Sequence, residues 1–143
     1  MARKGNQKTK LLLLCQLLLR KGDEEHPIST PELIRALERE GIPAERKSVY
    51  TDMEALREFG LDVQLRKGKN GGWFIGERDF ELPELKLLVD AVQSSRFISR
   101  KKSESLIKKL AGLTSEHRAK QLRRQVYVDH RVKTENESVY YAI

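Results

Sequence analysis

Within the first 78 residues, the spacing of apolar residues changes once, after Gly60. Before that glycine, three segments carry apolar side chains three and four residues apart, which predicts three amphipathic helices. After it, Val63 and Leu65 alternate with polar residues, and Trp73 and Ile75 lie two apart beyond a glycine- and asparagine-rich turn. That pattern predicts a β-hairpin. Three helices followed by a basic hairpin give the element order of a winged helix-turn-helix.

The ends of the predicted helices are marked by capping residues and glycines. The first helix is predicted over residues 7–21, and residues 22–28 are predicted to be a loop. The second begins at Ser29 or Thr30, where Ser29 with Glu32 fits a capping box, and it closes at Gly41. The third is predicted over residues 45–59. The core-facing residues predicted for the first and third helices are Leu11, Leu14, Cys15, Leu18, Leu19, Val49, Met53 and Leu56.

Beyond Arg78 the apolar spacing is helical again, which predicts a second region. We therefore divide the chain into residues 1–78, a winged helix-turn-helix DNA-binding domain, and residues 79–143, a helical linker or dimerisation region. The predicted fold class is mainly α with a small β-hairpin, a winged helix-turn-helix followed by a helical extension.

The charge balance alone says little about partners. The chain of 143 residues has 28 lysines and arginines against 21 acids, a net charge of +7, divided as +3 over residues 1–78 and +4 over residues 79–143. A nucleic-acid interface must therefore depend on where the charges lie. A single cysteine, Cys15, fits a reducing cytoplasm, and the apolar run from Leu11 to Leu19 is too short to span a membrane.

The solvent side of the third helix carries the candidate site. Helices that enter the major groove read base edges with their N-terminal residues, and arginine or lysine matches the acceptors of guanine. The hairpin tip adds further cations that can reach the DNA backbone. An ordinary solvated helix face is the competing interpretation for any single residue. The predicted DNA-binding residues of the helix and the hairpin tip are Arg46, Lys47, Ser48, Tyr50, Thr51, Lys67, Lys69 and Asn70.

Two flanking regions extend this prediction. Arg3, Lys4, Lys8 and Lys10 form a basic arm that can reach phosphate, although such a terminus also serves solubility, and Lys8 is included in the candidate site. Thr30 is included because the free backbone N–H groups at the start of a helix favour a phosphate oxygen. Asp52 is predicted to be structural, bonding an arginine or a backbone donor.

The segment from Arg46 to Leu56, with Gly60 and the hairpin after it, resembles the recognition-helix signature of the WYL-domain transcriptional regulators. The N-terminal domain of that family is a DeoR-like winged helix. The residues from Arg78 to Phe97 are similar to the helical segment that follows the wing in the family. The resemblance implies a bacterial transcription factor that binds promoter DNA as a homodimer, with the five predicted residues of the third helix facing DNA.

Family members continue into a C-terminal WYL domain, an Sm-like β-barrel thought to sense a ligand. This sequence lacks that domain, so we expect a truncated chain or a partial gene product. Any small-molecule effector is expected on the missing domain.

No catalytic, metal or cofactor motif is recognised. There is no glycine-rich nucleotide motif, and His26, His117 and His130 lie far apart in the sequence. Cys15 is predicted to be an inert core thiol. We therefore predict no enzymatic activity and no cofactor. Two alternatives to DNA binding are a winged-helix protein-interaction module and the regulatory domain of an enzyme, the latter disfavoured because too few residues follow Arg78.

The segment from Arg96 to Lys133 holds 12 cations and three acids. It can be a second phosphate-binding surface, the outer face of dimerising helices or a complement to an acidic face of the missing domain. We favour the dimer-related interpretation.

Overall fold

The computed structural model describes residues 6–128, and the chain divides into two compact units between Arg78 and Asp79. The described part is mainly helical with one small antiparallel sheet, which confirms the coarse fold class. In chain order the elements are α1 (Gln7–Lys21), α2 (Thr30–Arg39), α3 (Arg46–Phe59), β1 (Val63–Arg66), β2 (Gly72–Ile75), α4 (Leu82–Ser94), α5 (Arg100–Ala111) and α6 (Glu116–Val128).

Each of the first two helices begins at a residue whose side chain accepts a backbone hydrogen bond. Asn6 accepts from the N–H of Thr9 at 3.0 Å, and Ser29 accepts from the N–H of Glu32 at 3.2 Å. Ser29 is therefore the N-cap of α2, and Thr30 is its first residue. These side chains satisfy donors that have no partner within the helix. The predicted span of α1 is confirmed at both ends.

The first unit has one core, formed by the three helices and the inner residues of the hairpin. Of the residues predicted to be core in α1, Leu14 and Leu18 are fully buried, but Leu19 is 38% exposed. The predicted core face of α3 is confirmed. The buried apolar residues of this core are Leu14, Leu18, Leu33, Leu37, Ile42, Val49, Met53, Leu56, Val63, Trp73 and Ile75.

The hairpin pairs β1 with β2, and Leu65 lies opposite Trp73 in the antiparallel register. Its turn is closed by a hydrogen bond of 3.0 Å from the N–H of Gly71 to the carbonyl of Gly68. Asn70, at the third position of that turn, has a φ of +67°. Asparagine tolerates this left-handed conformation better than most residues do. The tip of the hairpin is thereby turned outwards, with Lys67, Lys69 and Asn70 exposed.

A third backbone segment joins the hairpin, which the sequence prediction of a loop over residues 22–28 did not anticipate. Ile28 forms an antiparallel bridge with Trp73, with N–H to carbonyl distances of 2.8 and 2.7 Å. A Cβ atom at Gly72 would lie 2.5 Å from the carbonyl carbon of Ile28, so this approach requires glycine. An isolated two-stranded hairpin is marginally stable, and this bridge supports it.

The second unit consists of α4, α5 and α6 around a smaller core. Leu85 and Val89 of α4 pack with buried residues of the other two helices, including Ile107 and Leu122. Glu81 and Glu84 form a reciprocal capping box at the start of α4. Across the described residues, no helix combines the length and the apolar character that a membrane crossing requires.

Candidate functional site

The first two turns of α3 carry the residues predicted to bind DNA, and the structure gives them unequal access to solvent. Arg46, Lys47 and Thr51 are exposed, whereas Ser48 and Tyr50 are half-buried. The helix begins here because Glu45 and Ser48 cap it reciprocally. The exposed residues among these in the first two turns of α3 are therefore two cations and one threonine with its hydroxyl group.

Tyr50 connects α3 with the hairpin. Its ring meets the ring of Trp73 edge to face, with centroids 5.0 Å apart and an interplanar angle of 77°. Tyr50 also contacts Arg46: the guanidinium carbon of Arg46 lies 5.4 Å from the centroid of the Tyr50 ring, and its Nη2 donates to the Tyr50 hydroxyl at 3.2 Å. The prediction that the Tyr50 phenol faces solvent is thus corrected, because the ring packs against the core and contacts Arg46.

The two hydroxyl groups of this surface bond to the helix backbone. Ser48 Oγ donates to the carbonyl of Glu45 at 2.8 Å, and Thr51 Oγ1 donates to the carbonyl of Lys47 at 3.2 Å. Ser48 is therefore committed to capping the helix. Thr51 remains exposed and keeps the lone pairs of its oxygen for a further partner.

Arg57 braces the later part of α3 against the hairpin. Its Nε donates to the carbonyl of Val63 at 2.8 Å, and its guanidinium carbon lies 5.7 Å from the Trp73 ring centroid. It also forms an ion pair with Glu54 one turn earlier. The sequence pattern did not reveal these contacts, because neither partner on the hairpin lies at a helical spacing from Arg57.

The hairpin is tied to α3 at Trp73, and its tip lies a few residues before that contact in the chain. Asn70 precedes Trp73 by three residues, so their Cα atoms are at most about 11 Å apart, and Trp73 is the residue that contacts Tyr50. The sequence analysis missed one further cation of this region, Arg66, whose guanidinium carbon lies 5.2 Å from the Phe74 ring centroid. The alternation of β1 offered a signal for it, since Arg66 follows the inward Leu65.

The phosphate contact predicted for Thr30 would use the backbone N–H groups at the start of α2 and stays a prediction, because the side chain of Thr30 is engaged in the core. Thr30 is only 7% exposed, and its Oγ1 accepts a hydrogen bond of 3.0 Å from the indole Nε1 of Trp73. The buried indole N–H requires an acceptor, and this hydroxyl supplies it.

The predicted basic arm is also corrected at Lys10. This lysine is 1% exposed, and its Nζ lies 2.5 Å from Oδ2 of Asp52 in α3. Asp52 is thus structural, as predicted, although its partner is a lysine. Lys8 is exposed and lies about 200° around α1 from Lys10, so it projects away from the side of α1 that meets Asp52. Arg3 and Lys4 lie outside the described residues.

At the base of the hairpin, Asp62 holds the end of β2. Its carboxylate accepts from the N–H of Glu77 and from the side-chain amide of Gln64, both at 2.6 Å. The backbone hydrogen bond, followed by the Gln64 bond, lowers the pKa of Asp62 below its ordinary value, and the charge of Arg57 adds to this. In α1, burial raises the pKa of the half-buried Cys15 thiol.

Arg78 fixes the end of α1 from the end of the hairpin segment. Its guanidinium donates to the carbonyls of Leu19 at 2.7 Å and Gly22 at 2.9 Å. A cation at the C-terminus of a helix also opposes the negative end of the helix dipole. Arg78, where the sequence predicts a domain boundary, thus has a structural role within the first unit.

Within the described part of the chain, no three His, Cys, Asp or Glu residues are grouped so that they could hold a metal ion. The chain matches no protein-family model, no curated protein and no solved structure. The resemblance to WYL-domain regulators therefore stays a prediction, and the function is argued from the geometry of residues 6–78.

Proposed function

We propose that the chain is a sequence-specific DNA-binding regulator of transcription, without enzymatic activity, whose first unit acts as a winged helix-turn-helix. The observation that carries this proposal is the packing of Arg46 on Tyr50 and of Tyr50 on Trp73, the residue that also anchors the hairpin. Through these two contacts, the exposed cationic start of α3 is connected to the hairpin whose tip carries Lys67 and Lys69. Duplex DNA offers a groove and flanking phosphates to such a surface.

The way the hairpin is supported favours its use as a wing. Ile28 bridges Trp73 from one side, and Arg57 bonds to Val63 from the other. With its base held in this way, the hairpin can present Lys67 and Lys69 at a fixed distance from α3. A wing of this kind would contact phosphates beside the groove that α3 enters.

In the proposed mechanism, the start of α3 enters the major groove, which is about 12 Å wide and admits one helix. Arg46 and Lys47 would contact base edges or adjacent phosphates, and Thr51 would contact a phosphate or a base. Glu54 lies one turn further along and is exposed. Because a carboxylate repels phosphate, we expect the N-terminal half of α3 to make the closest approach. The helical second unit would join two copies, which would place two recognition helices on successive half-sites.

The experiment that tests this proposal begins with selection of bound sites from random duplex DNA. Gel-shift titrations on the selected site then compare the wild type with Arg46→Ala and Lys47→Ala. Each substitution should weaken binding by about 1–3 kcal/mol where the contact is bidentate to guanine. Lys21→Ala, which removes an exposed cation at the end of α1, is the matched control and should leave affinity unchanged. Equal affinities for all four proteins would remove α3 from the proposal.

A protein-interaction module is the second candidate function, and one observation favours it. Phe59, at the end of α3, is 84% exposed, so it would add apolar area to a protein contact made by this helix. In that case α3 would dock on a protein. Binding to random duplex at low salt would then be negligible, whereas a DNA-binding unit retains sequence-independent affinity under those conditions.

A further inference from the structure

The positive charge of the chain is concentrated in one stretch of the second unit. Residues 100–124 contain nine lysines and arginines against two acids, a net charge of +7, which equals the net charge of all 143 residues. Residues 6–78 contain 13 cations and 12 acids, a net charge of only +1. Because the first unit is nearly neutral, most of the attraction between this chain and a polyanion must come from α5 and α6.

The helix α5 presents part of this charge on one exposed side. Four of its residues lie between about 100° and 200° around the helix axis from the buried Ile107, and none of the four is acidic or apolar. Glu104 lies outside this range, about 60° from Ile107. We call this surface the α5 basic face, which consists of the exposed residues Lys101, Ser105, Lys108 and Lys109.

The folding of α5 does not account for all of these lysines. Lys108 and Lys109 lie in the last turn, where the helix dipole favours a cation. Lys101 lies in the first turn, where the dipole disfavours a cation and where no acid compensates it. Among the residues that the structure describes, none of these three lysines pairs with a carboxylate. Their ammonium groups are therefore available to an external anion.

The spacing and the composition of the face favour the backbone of a duplex as that anion. Lys101 and Lys108 are seven residues apart, about 10.5 Å along the helix axis, and the phosphates of one DNA strand recur about every 3.4 Å along the duplex. Ser105 lies between the two lysines and adds a hydroxyl donor, a group that proteins also use on phosphates. The face has no apolar side chain to insert into a lipid layer. A symmetric contact between two copies would place its like charges against each other.

We infer that the α5 basic face binds the phosphate backbone of duplex DNA, as a second contact besides the one proposed for the first unit. The inference rests on the proposed function and deepens it. It assigns sequence-independent affinity to the second unit, whereas α3 is assigned the sequence preference.

The test is a series of gel-shift titrations of the full chain at several salt concentrations, on the selected site and on random duplex. The variant that combines Lys101→Gln and Lys108→Gln removes two cations of the face. It should lower the slope of log affinity against log salt concentration by about 1.8, the value for two lost phosphate contacts on B-DNA. The same loss corresponds to about 60-fold weaker binding at 0.1 M salt. Both duplexes should be affected by similar factors, because phosphates carry no sequence information.

Two further proteins control for net charge and for folding. The variant that combines Arg20→Gln and Lys21→Gln removes the same charge from exposed positions at the end of α1 and should leave the slope unchanged. The variant that combines Lys101→Arg and Lys108→Arg keeps the charge of the face and should bind as the wild type does. Circular dichroism of each variant verifies that the fold is retained.

Three results would overturn the inference. The first is an unchanged salt slope in the glutamine variant of α5. The second is an equal reduction by the glutamine variant of α1, because the effect would then depend on net charge and not on the face. The third is an unchanged affinity for duplex together with weaker binding to phosphatidylglycerol vesicles, which would make a lipid surface the partner of the face.

The variants of α3, measured in the same titrations, separate this inference from the proposed function. If Arg46→Ala and Lys47→Ala weaken binding to the selected site while the glutamine variant of α5 keeps the wild-type slope, only this inference is contradicted. If the α3 variants have no effect while the α5 variant lowers the slope, only the proposed role of α3 is contradicted. A wild type that binds neither duplex at low salt would contradict both.

Discussion

The ε-ammonium group of Lys10 lies 2.5 Å from Oδ2 of Asp52, and this buried ion pair joins α1 to α3. The side chain of Lys10 is 1% exposed and that of Asp52 is 15% exposed. The same ammonium group donates to Oε1 of Gln7 at 3.4 Å. Since Asp52 lies between the exposed Thr51 and the buried Met53, the ion pair fixes the rotation of α3 and so determines which residues the helix presents.

We expect Lys10→Met to destabilise the first unit by about 3–5 kcal/mol, because it leaves the carboxylate of Asp52 buried without its partner. Urea unfolding followed by circular dichroism measures this loss. Lys8→Met, at an exposed position of the same helix, should change stability by less than about 0.5 kcal/mol. Comparable losses in the two variants would mean that the ion pair is not a major support. The double variant Lys10→Met, Asp52→Leu should recover much of the stability, since apolar pairs often replace buried ion pairs without loss.

The hydrogen bond from Trp73 to Thr30 gives a second expectation. Thr30→Val keeps the shape of the side chain but leaves the buried indole N–H without an acceptor, so unfolding should become easier by about 1–3 kcal/mol. Thr9→Val, at an exposed position of α1, is the control. The phosphate contact predicted for Thr30 lies at the helix start and does not use its buried hydroxyl, so the sequence preference of the folded variant should equal that of the wild type. A changed preference in site selection would mean that the Thr30 hydroxyl takes part in DNA recognition.

The parts of the fold that were predictable are those encoded by neighbours in the sequence. Capping residues, terminal glycines and leucine spacing lie within a few residues of the structure that they specify, and they gave the bounds of α1 and the position of the hairpin. The core residues of α3 followed from the same spacing, since Val49 and Met53 are four residues apart.

The parts that were not predictable depend on residues far apart in the chain. The partner of Trp73 Nε1 is 43 residues away, and Lys10 pairs with a residue two helices later. The sequence predicts Lys10 to be a surface cation, because no neighbouring residue in the sequence indicates that it pairs with a buried carboxylate. Ile28 is predicted to lie in a loop, because a single bridge residue produces no alternation of apolar and polar residues in the sequence.

The lowered pKa of Asp62 makes the base of the hairpin sensitive to acid. A carboxyl group whose pKa is lower in the folded state stabilises the fold above its unfolded pKa, and that contribution is lost as the pH falls through the folded value. The pH range in which this stabilisation is lost therefore begins near 3.8, the ordinary pKa of the group, and extends to lower pH. Asp62→Ala should destabilise the wild type fold at neutral pH, and the difference between the two proteins should shrink below about pH 4. A difference that stays constant from neutral to acid pH, measured by urea unfolding, would contradict this role.

The hairpin tip and α3 are expected to contribute differently to DNA binding, the tip to sequence-independent affinity and α3 to sequence preference. Lys69 is exposed at the tip and is expected to contact phosphate, so Lys69→Ala should weaken binding to selected and random duplexes by similar factors. It should also reduce the slope of log affinity against log salt concentration by about 0.9, the value for one lost phosphate contact on B-DNA. Arg46→Ala should instead weaken binding to the selected site more than to random duplex, because base contacts carry the discrimination. Gel-shift titrations at several salt concentrations measure both quantities. If Lys69→Ala leaves the slope unchanged, the tip does not touch the backbone, and the hairpin acts only as a brace for α3.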